Sequence, residues 1–295
     1  MSLIQAWLQS WSTFIGILLL SAVPLSANVA IAAFVASDST TKSVETAISQ
    51  AEKRNSSFCP ESLSSTIDTI IQVPAFSTSR WGILVEPLSA SDPLYSYQED
   101  DFLIPASNVK LLTTAAALKT LDTQQHYDSA SIRDRVRFIN LTSNNQSADA
   151  LLRYLGGPHV IKDILTPLGI NPNSYRQVDG SGLSRYNMAT ASTFVAILKA
   201  MHGDVEGNVF YESLPIAGMS GTLRHRFQNT SVQGQLRAKT GTLRGVRALS
   251  GFLQHPDYDV LVFSIMVNQP NQSGQVLLGA IDQIVLRLSQ LRSCD

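Results

Sequence analysis

IPASNVKLLTTAAAL, residues 104–118, sets a serine and a lysine three residues apart in a run of alanine, leucine and threonine. Pro105 stands just ahead of Ser107, so a helix is predicted over residues 107–121. On a helix, Ser107 and Lys110 face the same way. A serine in the first turn also meets the positive end of the helix dipole, which favours a developing alkoxide. A lysine beside it accepts the serine proton only when neutral. Bringing a lysine pKa from about 10.4 towards 7 costs on the order of 4 kcal/mol, so such a site must be buried and electropositive. Alone, Ser-x-x-Lys is a weak signal, and a second copy runs from Ser39 to Lys42. A surface lysine one turn after a cap serine is the ordinary explanation of an isolated match.

Two downstream patterns change that balance. Ser143-Asn144-Asn145 offers a hydroxyl to relay a proton to a leaving amine and a carboxamide to hold a substrate amide. It too is weak alone, since asparagines ahead of a helix are usually caps and Ser26-Ala27-Asn28 matches it. Lys239-Thr240-Gly241 occurs once, at the end of a predicted strand. There Lys239 and Thr240 are placed to bind a carboxylate, and Gly241 to admit a substrate backbone. The backbone N–H of Thr242 is placed to complete an oxyanion hole with that of Ser107. Asp179-Gly180-Ser181-Gly182 and Gly218-Met219-Ser220-Gly221 fall short of the Gly-x-Ser-x-Gly elbow. Both read as glycine-rich loops shaping a cleft, with Asp179 and Arg185 near its lining but not catalytic.

The rest of the chain bounds the answer. Its 295 residues suit one domain with an insertion, or two joined subdomains; 44% are hydrophobic and 15% charged, with a net charge of −1. No basic excess points to nucleic acid. The five histidines form no His-Glu-x-x-His pattern and the two cysteines are distant, so no metal site is implied. The first 41 residues carry one charge, Asp38, and residues 13–36 are mostly apolar. As a helix that run would span ~36 Å, so residues 1–36 are expected to be a signal peptide or a membrane anchor. Residues 37–57 read as a Ser/Thr-rich linker, and residues 58–295 as the folded part.

Within it, apolar spacing predicts helices over 60–72, 147–154, 158–165, 190–201 and 276–291 besides that at Ser107. Strands are predicted over 81–87, 94–97, 235–240, 246–254 and 258–268. Strands from both ends must share one sheet, with a mostly helical subdomain (about 99–230) inserted between them. The fold class is therefore α+β: a central antiparallel sheet flanked by the two terminal helices. Cys59 and Cys294 each flank one of those helices, and a disulfide between them is expected in an exported protein.

Serine-lysine, serine-asparagine and lysine-threonine-glycine in this order form the penicillin-recognising triad. The wording around them, in IPASNVKLLTTAAAL, DGSGLSRYN (179–187), LPIAGMSGTLRHRF (214–227) and LRAKTGTLRGVRALSGFL (236–253), resembles the class C low-molecular-mass penicillin-binding proteins, the D-alanyl-D-alanine carboxypeptidase/endopeptidases. The resemblance runs from about Cys59 to the C-terminus. It implies a β-lactamase/transpeptidase-like fold, with Ser107 acylated and Lys110 the base. Ser143 and Asn145 would form the second motif, and Lys239, Thr240 and Gly241 the third. It implies peptidoglycan stem peptides and β-lactams as ligands, no cofactor, and an extracytoplasmic location, with membrane association through the N-terminal segment if that is retained. In that family a long insertion separates the first two motifs; here 32 residues (111–142) do so. A serine β-lactamase shares the three motifs, although the Glu-x-x-Leu-Asn loop of class A enzymes is absent. A module that binds penicillin or peptidoglycan without turnover is the third reading.

Overall fold

A computed structural model describes residues 57–121, 129–203 and 205–294. The expected leader and nearly all of the expected linker lie outside them. Among the described residues no helix is long and apolar enough to cross a membrane.

The chain enters through a 3₁₀ turn and helix α1 (Leu63–Ile71), then forms β1 (Arg80–Pro87) and β2 (Tyr95–Tyr97). A helical section follows: α2 (Val109–Leu121), α3 (Ser129–Thr142), α4 (Asn145–Tyr154) and α5 (Pro158–Leu165). A two-stranded ribbon, β3 (Tyr175–Arg176) with β4 (Met188–Ala189), leads to α6 (Ala191–Ala200) and α7 (Val205–Ser213). The chain closes with β5 (Leu236–Leu243), β6 (Val246–His255), β7 (Asp259–Asn268) and α8 (Gly274–Leu288).

The main sheet has the order β2-β1-β7-β6-β5, antiparallel throughout. Strands from both ends of the chain do share it, because β1 pairs with β7 from Arg80↔Asn268 to Pro87↔Leu261. Successive side chains of a strand point to opposite faces, and here both faces are covered. Val262 and Met266 of β7, with Leu84 and Phe252, pack under the helical section with Phe194 and Leu112. Leu261, Phe263 and Ile265 pack on the other face against Ile67 of α1 and Ile281 and Ile284 of α8. Coverage on both sides explains why 258–268 reads as an almost unbroken apolar run.

Three details differ from the sequence expectation. Ser107 is not in an α-helical turn: it sits in a single 3₁₀ turn, Ala106–Asn108, from which α2 grows. The left-handed backbone of Ala106 (φ 49°) bends the chain into that turn, a conformation a non-glycine residue holds only when its surroundings enforce it. Helix α3 carries Arg133, Asp134, Arg135 and Arg137, which obscure an apolar stripe of only Ile132, Val136 and Ile139. Helix α7 is short and mixed, so its apolar spacing gives no clear periodicity; β5 and β6 end beyond their predicted limits, at Leu243 and His255, while β7 starts one residue later than predicted.

Cys59 and Cys294 form the expected disulfide, with Cα atoms 5.6 Å apart. It reinforces a short parallel bridge in which Phe58 N–H donates to Gln290 O and Arg292 N–H donates to Phe58 O. The closed loop is nearly the whole folded part, so the chain-entropy model sets an upper limit of about 5 kcal/mol. Replacing both cysteines by serine should lower stability by a substantial share of that value in denaturant unfolding. A change under ~0.5 kcal/mol would show that the backbone bridge alone holds the termini.

Candidate active site

The segment carrying Ser107 is fastened to the sheet on two sides. Asn268 of β7 accepts from Ile104 N–H (2.8 Å) and donates back to Ile104 O (3.1 Å). Buried Asn108 donates to Ser250 Oγ of β6 (2.7 Å), which pairs with Ser264 Oγ of β7 (2.8 Å). Gly182, with φ +83°, lies so close that a Cβ there would be 1.9 Å from Ala106 O. The serine thus stands on a rigid ledge between sheet and helices, half-buried.

Lys110 is fully buried. Its Nζ donates to Ser107 Oγ (2.9 Å), to Asn145 Oδ1 (2.8 Å) and to the carbonyl of Ser181. Ser107 Oγ itself lies 3.3 Å from that carbonyl. Burial lowers the lysine pKa to about 8, against the opposing pull of Asp149 and Asp179. A lysine at that value is partly neutral near physiological pH and takes a proton from a hydroxyl 2.9 Å away.

The second and third motifs join across the cleft. Lys239 Nζ donates to Ser143 Oγ (2.9 Å) and to Thr240 O (2.9 Å). Ser143, left-handed at φ 57°, makes the corner between α3 and α4. Asn144 caps α4 by accepting from Ser147 N–H (2.8 Å), which frees Asn145 to face Lys110. Capping and chemistry are divided between neighbouring asparagines.

Two of the predicted site residues are tightly packed. Lys239, like Lys110, is fully buried; burial and Lys110 together hold its pKa well below the usual lysine value. Its Nζ bonds the Ser143 hydroxyl that lines the cleft. At Gly241 a Cβ would lie 2.6 Å from Pro105 O and 3.2 Å from Asn108 Oδ1, so the glycine lets β5 pack on the Ser107 ledge. Thr240 and Thr242 do line the cleft, and Thr240 Oγ1 donates to Thr222 Oγ1 (2.8 Å).

The cleft holds about 450 Å³ and also contains Thr222, Arg226, Arg247 and Leu278, which the motifs do not reveal. Arg226 pairs with Asp282 of α8. The Ser181 carbonyl is the other missed element; only the glycine-rich wording of 179–187 marks that loop. Asp179 holds the loop's shape, accepting from Gly182 N–H (2.6 Å), Ser184 N–H (2.7 Å) and Asn187 Nδ2 (2.8 Å). Gly180 N–H donates to Asp149 Oδ1 of α4 (2.9 Å). Arg185 is exposed and donates to Arg244 O rather than lining the cleft. Ser220 Oγ is used by Ile216 N–H, so it is a turn residue.

A five-stranded antiparallel sheet between two terminal helices and a helical section, with a serine-lysine pair at their junction, defines the β-lactamase/transpeptidase fold. Penicillin-binding protein 4 from Haemophilus influenzae superposes with a TM-score of 0.63 at 15% identity, over 75% of this chain and 98% of that one. A β-lactamase from Chitinophaga pinensis superposes with 0.62 at 15% identity, over 76% and 98%. The chain belongs to the D-Ala-D-Ala carboxypeptidase 3 (S13) family, whose profile matches residues 63–130 and 125–291. The two matched segments meet in the short stretch between Lys110 and Ser143. A D-alanyl-D-alanine carboxypeptidase from Actinomadura sp. is 36% identical over 50% of this chain and 30% of its own length. The chain spans about a third of the length of the curated relatives it matches.

If Asp179 shapes the loop that presents the Ser181 carbonyl, Asp179→Ala should raise amide hydrogen exchange at Gly182 and Ser184 by more than about tenfold, on the scale of lost charge-assisted hydrogen bonds. Exchange in β6 and β7 should stay unchanged. Equal protection in the variant would mean that the glycine packing alone sets the loop.

Proposed function

We propose that this protein is a serine-type D-alanyl-D-alanine carboxypeptidase acting on peptidoglycan stem peptides through an acyl-enzyme on Ser107. The observation that carries the proposal is the buried Lys110 amino group, 2.9 Å from Ser107 Oγ, in a chain of this family.

Neutral Lys110 takes the Ser107 proton as Oγ bonds to the carbonyl carbon of the penultimate D-Ala. The backbone N–H groups of Ser107 and Thr242 hold the resulting oxyanion. The peptide C–N bond then breaks, and the leaving amine of the terminal D-Ala receives the proton that Lys110 had taken, relayed through Ser143, whose Oγ is held by Lys239, so Lys110 is neutral again. Asn145 steadies both Lys110 and the substrate amide. Water attacks the ester and gives its proton to Lys110. The acid departs and Ser107 regains its hydrogen. Among the described residues, those lining the cleft carry hydroxyl, amide, guanidinium or aliphatic groups and no carboxylate, which favours a peptidase over an enzyme with a carboxylate dedicated to deacylation. A relative named as a penicillin-sensitive carboxypeptidase A, and a protein of the same fold complexed with a β-lactam, support β-lactams as its expected acylating inhibitors.

Incubation with a penicillin, followed by mass spectrometry, should place the adduct on Ser107, and Ser107→Ala should abolish labelling while leaving the fold intact. An adduct elsewhere would overturn the assignment. Release of D-Ala from a pentapeptide should accompany it; β-lactam turnover without D-Ala release would mark a β-lactamase, and labelling without either a binding module. In the same assay, acylation should rise with pH up to about 8, where Lys110 loses its proton, and fall about tenfold per unit well below it. A flat profile from pH 6 to 9 would remove Lys110 as the base.

The same proposal places the enzyme outside the cytoplasm, because its substrate lies there and residues 13–36 carry no charge. A fusion of residues 1–60 to a reporter active only after export should be active; an inactive fusion would contradict this location.

A further inference from the structure

A carboxypeptidase substrate ends in a carboxylate, and that anion needs donors in the cleft. Lys239, the cation beside Thr240 in sequence, is fully buried, and its Nζ already donates to Ser143 Oγ and Thr240 O. The open side of the cleft offers two guanidinium groups instead. That of Arg226 is paired with Asp282. Among the described residues, that of Arg247 has no acidic partner.

Arg247 is fixed in place nonetheless. It lies on β6 directly across from Thr242 of β5. Its Nη1 donates to Leu243 O and to Val246 O, both at 2.8 Å, which sets the plane of the group. A guanidinium carries five N–H donors; among the described residues the other nitrogens of Arg247 make no hydrogen bond. Room for Nη2 is left by Gly274, where a Cβ would lie only 1.8 Å away. Gly274 opens α8, whose positive end adds to the same potential. Partial burial and the nearby Arg226 charge both disfavour the Arg247 cation, pulling its pKa below the usual value. An oriented cation with unused donors, next to two threonine hydroxyls in a cleft, matches a planar carboxylate.

We infer that Arg247 is a specificity-determining residue whose guanidinium receives the C-terminal carboxylate of the departing residue, together with the hydroxyls of Thr240 and Thr242. This rests on the carboxypeptidase reading above and deepens it. It selects peptides with a free terminal carboxylate over those whose terminus is blocked or continues into another residue, because a neutral group there leaves the cation unpaired.

The test compares two peptides ending in D-Ala-D-Ala, one with the free acid and one with the C-terminal carboxamide, on the wild-type chain, Arg247→Gln and Arg247→Lys. The wild type should prefer the acid. Arg247→Gln should lower kcat/KM for the acid by about 30-fold, the scale of losing hydrogen bonds to a charged group. It should leave the carboxamide within about twofold. Arg247→Lys, which keeps the charge without the fork, should recover part of the preference. Equal losses on both peptides would show a merely structural role and overturn the inference, as would an acid preference unchanged in Arg247→Gln. A wild type that is acylated by penicillin yet releases D-Ala from neither peptide would overturn the carboxypeptidase reading itself, and this inference with it.

Discussion

Lys110 is a lysine ammonium taken wholly out of water, and such a group persists only if every donor finds an acceptor or the proton leaves. The structure supplies both answers. Three acceptors come from three separate segments: Ser107 Oγ, one turn away; Asn145 Oδ1, at the start of α4; and the Ser181 carbonyl, from the loop before β4. The pKa of about 8 supplies the second answer. Moving any of the three segments leaves a buried charge unmet, so the geometry of the serine and the packing of the domain are one problem. The glycines follow from it. Gly182 and Gly180 lie where a side chain would strike the backbone of Ala106 and of Ala148, and each holds the Ser181 carbonyl within reach.

The site forms where the two halves of the fold meet. Its serine ledge is bonded to the sheet through Asn108, Ser250, Ser264 and Asn268, while Asn145 and Ser181 belong to the helical section. Lys239 and Ser143 tie β5 to the α3–α4 corner on the far side of the same cleft. These polar contacts cross a boundary between two hydrophobic clusters, one on each face of the sheet. Polar groups buried there are costly unless paired, and their pairing specifies a single register between sheet and helices. The Lys110 charge also adds to burial in holding Lys239 less protonated than a surface lysine. With Lys239 buried, the positive face presented to a substrate belongs to arginines.

The short link between the first two motifs leaves this arrangement intact. The helices that receive Lys110 and Asn145 are held by local packing, with Leu111, Leu118, Val136, Ile139, Leu151 and Leu152 all in one cluster. The Ser107–Lys110 geometry therefore rests on the core of the fold that this chain shares with a penicillin-binding protein and a β-lactamase.

Much of this was legible in the sequence, for reasons specific to particular residues. Ser107 and Lys110 are three apart on one helical face, so their contact is local and spacing determines it. The apolar runs at 81–87 and 258–268 mark strands buried on both sides, and the order of elements demands that they pair. Cys59 and Cys294 flank helices that must lie together. Other features depend on which segments meet, and spacing carries no record of that. Whether Lys239 faces solvent or the interior is decided by β5 packing against Ser143, not by its motif. The reason for Gly241 is Pro105 O, 136 residues away in sequence (241 − 105). The Ser181 carbonyl is a backbone atom, so no side-chain pattern announces it. Arg247 looks like any strand arginine until β5 and α8 enclose it and leave its remaining donors facing a cleft with no acceptor for them among the described residues.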